Sequence, residues 1–390
     1  MVARVIQMIL AMAVFLGLIY AFWRTVGLAR KKNIGIIVRY SRRRPREKSA
    51  GTRHVFFTLV DHFEPYWHNR DDRVAMRRVK LWHDGYPAAV EGLADNGGNA
   101  PRHTFFYPEE EYRAPILDRL EDLTARRLAD VEVHLHHDHD TSNALRSRLA
   151  QYRDILHERH GLLHRENGAV RYAFIHGNWA LANSMPDGSM CGVDDEVRVL
   201  RETGCYADFT YPSAPHPTQP PCINRVYYAG GDERTSRSHH TGHDVQFGTG
   251  ARDALMLFTG PLTLNWHRRR RGIFPAVENG DITGINAAYP DRVDAWVRTA
   301  IQIRGWPSWI FVKVYTHGAQ EGNAGLLLSH SPGGLRSMYR DLLDRYNDGR
   351  RFVMHFSTPW QMYRCARALE SGVEDRIRSI ESFSYSFDNN

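Results

Sequence analysis

Two apolar patterns alternate along this chain. In one, short runs such as 55–60 are continuously apolar, as in strands buried on both faces. In the other, apolar positions recur three and four apart, the period of a helix with one buried face. The first pattern predicts strands at 55–60, 104–107, from Val131, and at 170–175, 207–211, 224–228, 254–258, 309–315 and 352–356. The second predicts helices at 71–94, 110–129, 143–160, 194–202, 292–304, 337–346 and 359–370. Strands alternating with helices imply an α/β fold with a mostly parallel sheet, open or closed into a barrel. There is no internal repeat.

The N-terminus departs from this alternation. Residues 5–23 carry no charge, and Gln7 is their only strongly polar side chain. As a helix, such a span of about 19 residues rises roughly 30 Å, enough to cross a bilayer core. Tyr20 and Trp23 stand near its end, where aromatic side chains favour the interface. No Ala-x-Ala site follows, so the span predicts an uncleaved transmembrane anchor and not a signal peptide. Residues 24–52 then hold ten Lys and Arg against the single acid Glu47, and predict a basic juxtamembrane linker. The positive-inside rule puts that tract and the domain behind it, 53–390, on the cytoplasmic side of a bacterial-type inner membrane, with the periplasmic orientation left open. The tract also suits anionic headgroups.

Of 390 residues, 42% are hydrophobic and 24% charged, which is ordinary for a globular protein. Cys191, Cys205, Cys222 and Cys365 are far apart, which excludes a disulfide framework and a Cys-x-x-Cys zinc site. The net charge of +7 resides largely beside the membrane span and at Arg268–Arg271. With no nucleic-acid motif, it argues against nucleic-acid binding.

The densest chemistry lies at 131–141, Val-Glu-Val-His-Leu-His-His-Asp-His-Asp-Thr. It begins with strand alternation and ends with His134, His136, His137, Asp138, His139 and Asp140. Imidazole and carboxylate are the donors that Zn²⁺-like cations prefer. His134 and His136 are two apart and share a strand face. Other predicted strands also end in reactive side chains: Asp61-His62, His176-Gly177-Asn178, Pro212-Ser213 and His317. Sites in parallel α/β folds gather at the carboxyl ends of strands.

These strand ends, in this order, resemble those of the polysaccharide deacetylase family, the NodB-homology or family-4 carbohydrate esterase group, over roughly 53–368. The resemblance implies a distorted, incomplete (β/α) barrel and one divalent metal, zinc by its donors, serving the hydrolysis of acetyl groups on a glycan. Against the family's Thr-Phe-Asp-Asp-Gly motif the chain reads Thr58-Leu59-Val60-Asp61-His62-Phe63-Glu64-Pro65. Asp61 falls on the metal-binding position, and Val60 replaces the base. His136 and Asp140 take the positions of the second motif's two histidines, with His134 beside them as ligand or neighbour. The strand ending Val314-Tyr315-Thr316-His317 matches the motif whose histidine is the general acid. The third motif, Arg-x-Pro-Tyr, has no copy. Glu64, Asp138 and His62 are the candidates for the missing base. His176, Asn178 and Trp179 are candidates for sugar contacts, since aromatic faces and amides suit carbohydrate.

The implied protein is a membrane-anchored, metal-dependent glycan deacetylase of cell-envelope or exopolysaccharide metabolism. Two other readings stay open. A glycoside hydrolase on a related barrel would need two catalytic carboxylates, with Asp61 and Asp208 as candidates. A non-catalytic glycan-binding subunit would account for Val60. Oligomeric state is not readable.

Overall fold

The computed structural model describes residues 33–43, 51–249, 253–270 and 274–381, with a few positions between 12 and 27. The expected anchor at 5–23 lies for the most part outside the described residues, and no described helix is long and apolar enough to cross a membrane. The elements follow in the order α1 (Ile34–Arg43), β1 (Arg53–His62), α2 (Asp72–Val90), β2 (His103–Pro108), α3 (Ala114–Ala125), β3 (Ala129–Leu135), α4 (Ser142–Asp154), β4 (His164–Glu166), β5 (Ala169–His176), α5 (Glu196–Glu202), β6 (Cys205–Asp208), β7 (Val226–Ala229), β8 (Gly242–Asp244), β9 (Met256–Phe258), β10 (Thr263–Arg270), β11 (Phe274–Glu278), β12 (Asp281–Ile282), α6 (Pro290–Thr299), β13 (Trp309–Thr316), α7 (Glu321–Leu327), α8 (Leu335–Tyr346), β14 (Phe352–Phe356), α9 (Pro359–Ser371) and α10 (Glu374–Glu381).

The main sheet runs β12-β13-β1-β2-β3-β5-β6-β9-β7-β8 and is parallel from β12 through β9. β1 is its pivot. One edge pairs with β13, while the other pairs first with β14 along Arg53–Phe57 and then with β2 from Val60 to His62. The carboxyl end of β1 therefore opens between those of β13 and β2, with β3 one strand further on. Strand parity divides the core in two. Val55, Phe57, Leu59, Val131, Val133 and Leu135 face the helices, against Trp82 of α2, Leu120 of α3 and Leu149 of α4. Phe56, Val60, Phe106, Ile175, Phe209, Phe258 and Phe311 form a second cluster on the opposite face. Phe258 of β9 and Phe311 of β13 are far apart in strand order, yet their rings come within 6.2 Å. The sheet thus curls around this cluster, and no ladder among the described residues joins its two ends.

Several boundaries differ from the expected ones for physical reasons. The helix expected at 110–129 is broken: a 3₁₀ turn at Glu109–Glu111 precedes α3, and Pro115 marks the new start. The helix expected to reach 304 stops at Thr299, with Ala300 at φ 51°. Ile301 and Ile303 beyond it alternate into the inner cluster. Arg268, Arg269 and Arg270 lie on β10 of the β10–β11 hairpin. The basic tract at 24–52 contains α1, whose Ile37 is buried against Ala214, Ile223 and Leu262.

Candidate metal centre

Period two also decides what the strand ends present. On β1, Val60 and His62 share the inner face, and Glu64 follows two residues later. On β3, His134 and then His136 share that same face. Glu64 sits between the two strand ends, with Oε1 3.3 Å from both His134 Nε2 and His136 Nε2. His62 and His317 stack at 4.7 Å, and His62 meets His134 edge-on at 5.0 Å. The donor atoms of Glu64, His134 and His136 lie within 4.8 Å of one another, as do those of His62, Glu64 and His317, so Glu64 belongs to both groups. Glu110, from the 3₁₀ turn, accepts at 2.5 Å from His136 Nδ1. That bond turns the ring so that Nε2 faces Glu64. Trp179 closes one side, its ring 6.2 Å from those of both His62 and His317.

Charge is unevenly divided within this group. Burial opposes ionisation of Glu64, yet hydrogen bonds from His134 and His136 hold its carboxyl well below the usual range. Burial also disfavours a proton on His136, but Glu110 and Glu64 outweigh it and raise that imidazole to about 10. His134 is lowered, mainly by burial, and His62 falls well below the ordinary range through burial and then its neighbours His317 and His134. The Nδ1 atoms of His62 and His134 are buried without a partner. Three or four imidazoles around a carboxylate, with a second carboxylate behind, fit a zinc-like divalent cation. His136 is 30% exposed, so the group is reachable from solvent.

Of the expected site residues, Glu64, His134, His136, His317 and Trp179 come together here. Asp61 does not. Its parity points it at the helix layer, where its carboxylate accepts from His103 Nε2 at 2.8 Å and Gly318 N at 2.6 Å. Gly318 has no room for a side chain: a Cβ would lie 2.1 Å from Asp61 Oδ2 and 2.6 Å from Trp82. Asp138 is exposed and accepts from the backbone N–H groups of His139 and Met190, so it fastens a loop and faces away as a base. Asp140 lies beside His137 Nδ1 and Arg148, each at 3.5 Å, and not beside His136. His176 is turned to the opposite side of the rim, next to His137. Asn178 Nδ2 donates to the backbone of His137 and Met190, which leaves it a clamp between loops. Asp208, the other glycosidase candidate, accepts from Thr210 N and Oγ1, and burial pushes it up to about 7. Glu110 was missed because it was expected within a helix.

No protein-family model matches this chain, and no curated protein matches it.

Proposed function

We propose that this chain is a divalent-metal-dependent hydrolase that removes acetyl groups from a glycan, tethered to a membrane by its apolar N-terminal span. The observation that carries this reading is the convergence of Glu64, His134 and His136 on one solvent-reachable point, beside the His62–His317 pair. The curled parallel sheet with its site at the strand carboxyl ends supports an incomplete barrel of the deacetylase kind. A divalent cation bound there, zinc by the donor set, supplies charge that polarises an acyl carbonyl and makes water more acidic.

The chain's own groups do the rest. Glu64 holds the His134 and His136 rings in position, and Glu110 fixes the tautomer of His136. His62, buried and held neutral, offers its unpartnered Nδ1 as a hydrogen-bond acceptor, while burial and the neighbouring imidazoles disfavour a proton on it, so it does not replace the base that Val60 lacks. His317, half-exposed at the end of β13, is the proton donor for the leaving amine or alkoxide. Trp179 offers an aromatic face for a sugar ring, and its unpartnered Nε1 a donor for a hydroxyl.

Acetate release from acetylated glycan oligomers tests this reading, measured with metal content on the same samples. Glu64→Ala and His134→Ala should lose metal and turnover together. His317→Ala should keep metal and lose turnover by about 10²–10⁴-fold. New reducing ends without acetate would identify a glycosidase. Sugar binding with neither product would identify a binding subunit.

A further inference from the structure

We infer that His137, His176, Cys191 and Glu196 form a second metal site, closed to solvent, which takes a zinc-class divalent cation. It is separate from the centre built on Glu64 and is not part of the proposed reaction.

All four side chains are buried, with His176, Cys191 and Glu196 fully so. One donor atom from each lies within 4.8 Å of the others. Glu196 Oε1 is 3.1 Å from His137 Nε2 and 3.8 Å from His176 Nε2, and Glu196 Oε2 is 3.4 Å from Cys191 Sγ. Tetrahedral zinc with bonds of about 2.0–2.3 Å separates its ligand atoms by roughly 3.3–3.8 Å; the two histidine spacings to Glu196 Oε1 are close to this, while Cys191 meets the other carboxylate oxygen.

Two features point to a missing ligand more than to a satisfied polar cluster. His176 Nε2 is fully buried, faces the group and has no hydrogen-bond partner. His137 Nδ1 and Asp140 Oδ2 face one another at 3.5 Å, also without partners by hydrogen-bond geometry. That is the arrangement in which a carboxylate orients a ligating histidine from behind. The Asn178 N–H lies 3.2 Å from His176 Nδ1. When His176 ligates through Nε2 its proton sits on Nδ1, so this contact must open and the 177–178 turn adjusts on loading. Two backbone N–H groups, from Asn183 and Val193, already point at Cys191 Sγ at 3.4 Å and suit a thiolate.

With four protein donors and no opening, the site is structural. It fastens the segment from His176 to Glu196, which carries Trp179, to the loop just after His136.

Cobalt(II) provides the test. The full chain, produced in cobalt-supplemented medium, should show a near-ultraviolet thiolate-to-cobalt charge-transfer band and hold two equivalents of metal. The band needs no variant, so it reads the site even where a substitution hinders folding. Cys191→Ser should remove the band and one equivalent. Glu64→Ala should remove the other equivalent and leave the band, which keeps failure of this site distinct from failure of the proposed catalytic centre. A cobalt-loaded chain without the band, or a band unchanged by Cys191→Ser, overturns the assignment.

Discussion

Asp61 separates two accounts of this protein. The motif resemblance makes it a metal ligand, whereas its geometry makes it an anchor for the loop that carries His317. Its two carboxylate oxygens accept from Gly318 N and His103 Nε2, and both partners are buried. Asp61→Ala strands two buried donors at about 1–3 kcal/mol each, for a loss of about 4 kcal/mol. Asp61→Asn keeps one carbonyl for Gly318, and its amide can donate to His103 if that ring moves its proton to Nδ1. Its loss should be about 1–2 kcal/mol. Neither change touches Glu64, His134 or His136, so metal should remain bound in the folded protein. Turnover should still fall, because Gly318 is held from both sides, by Asp61 and by Trp82 Nε1 on its carbonyl at 2.8 Å, and His317 is the adjacent residue. The assay is urea unfolding of the purified full chain, with metal content measured in parallel. An Asp61→Asn protein of unchanged stability that has lost its metal would refute the anchor and restore the ligand.

Further consequences concern single contacts elsewhere. Gly177→Ala would set a Cβ 2.3–2.5 Å from the His136 ring; the ring must move off Glu64, so metal affinity should drop at least tenfold for about 1–3 kcal/mol of stability, and unaltered affinity would contradict the site. His54 and His355 share a buried 3.0 Å hydrogen bond at the opposite end of β1. Burial lowers His54 from 6.5 to about 4 and His355 well below its ordinary value. Both rings are neutral when folded, so their stability contribution is complete above pH 6.5 and is lost as pH falls towards 4. At about 1.4 kcal/mol per pH unit, His54 alone accounts for roughly 3 kcal/mol. The His54→Gln/His355→Gln double variant should show a flatter acid limb in unfolding curves, and an equal slope would remove the pair from the account. Ile37→Asp forfeits about 1.5–3 kcal/mol of burial under α1. Trypsin should then cut faster after the exposed Arg39, and unchanged protection would show that Ile37 does not hold the helix.

Much of this architecture is legible in the chain because burial on both faces leaves a strong mark. The runs at 55–60 and 309–315 and the helix at 359–370 need no tertiary information, and Thr358 with Gln361 even forms the capping box that starts α9. What was illegible depended on partners distant in sequence. α1 reads as a charged linker because, among its described side chains, Ile37 alone is fully buried, and its bed is formed by residues about 180 or more positions later. The hairpin β10–β11 hides its register behind a bulge between Asn265 and Arg269. Glu196 and Cys191 gave no signal, because a donor set assembled from two loops, a strand end and a helix start has no fixed spacing.

Sequence matching and strand geometry part at one specific step, and the same step explains why a metal-competent group stands on each side of this rim. Motif matching aligned Asp61 by position, whereas the side of a strand is fixed by parity. Counting in twos from Val60, an inner residue, selects His62 and Glu64 and rejects Asp61. Counting in twos from His134 selects His136 and rejects His137. The rejected residues are not idle: Asp61 holds Gly318 behind the site, and His137 meets His176, Cys191 and Glu196 on the other side of the rim. Consecutive histidines at a strand end cannot share one cation without breaking the strand. The pair His136-His137 is therefore best understood as one residue for each face, a solvent-reachable group on the inner side and a closed one on the outer. His136→Ala should therefore cost only the inner equivalent of metal and His137→Ala only the outer one, read by metal content, and a single substitution that lost both would refute the division.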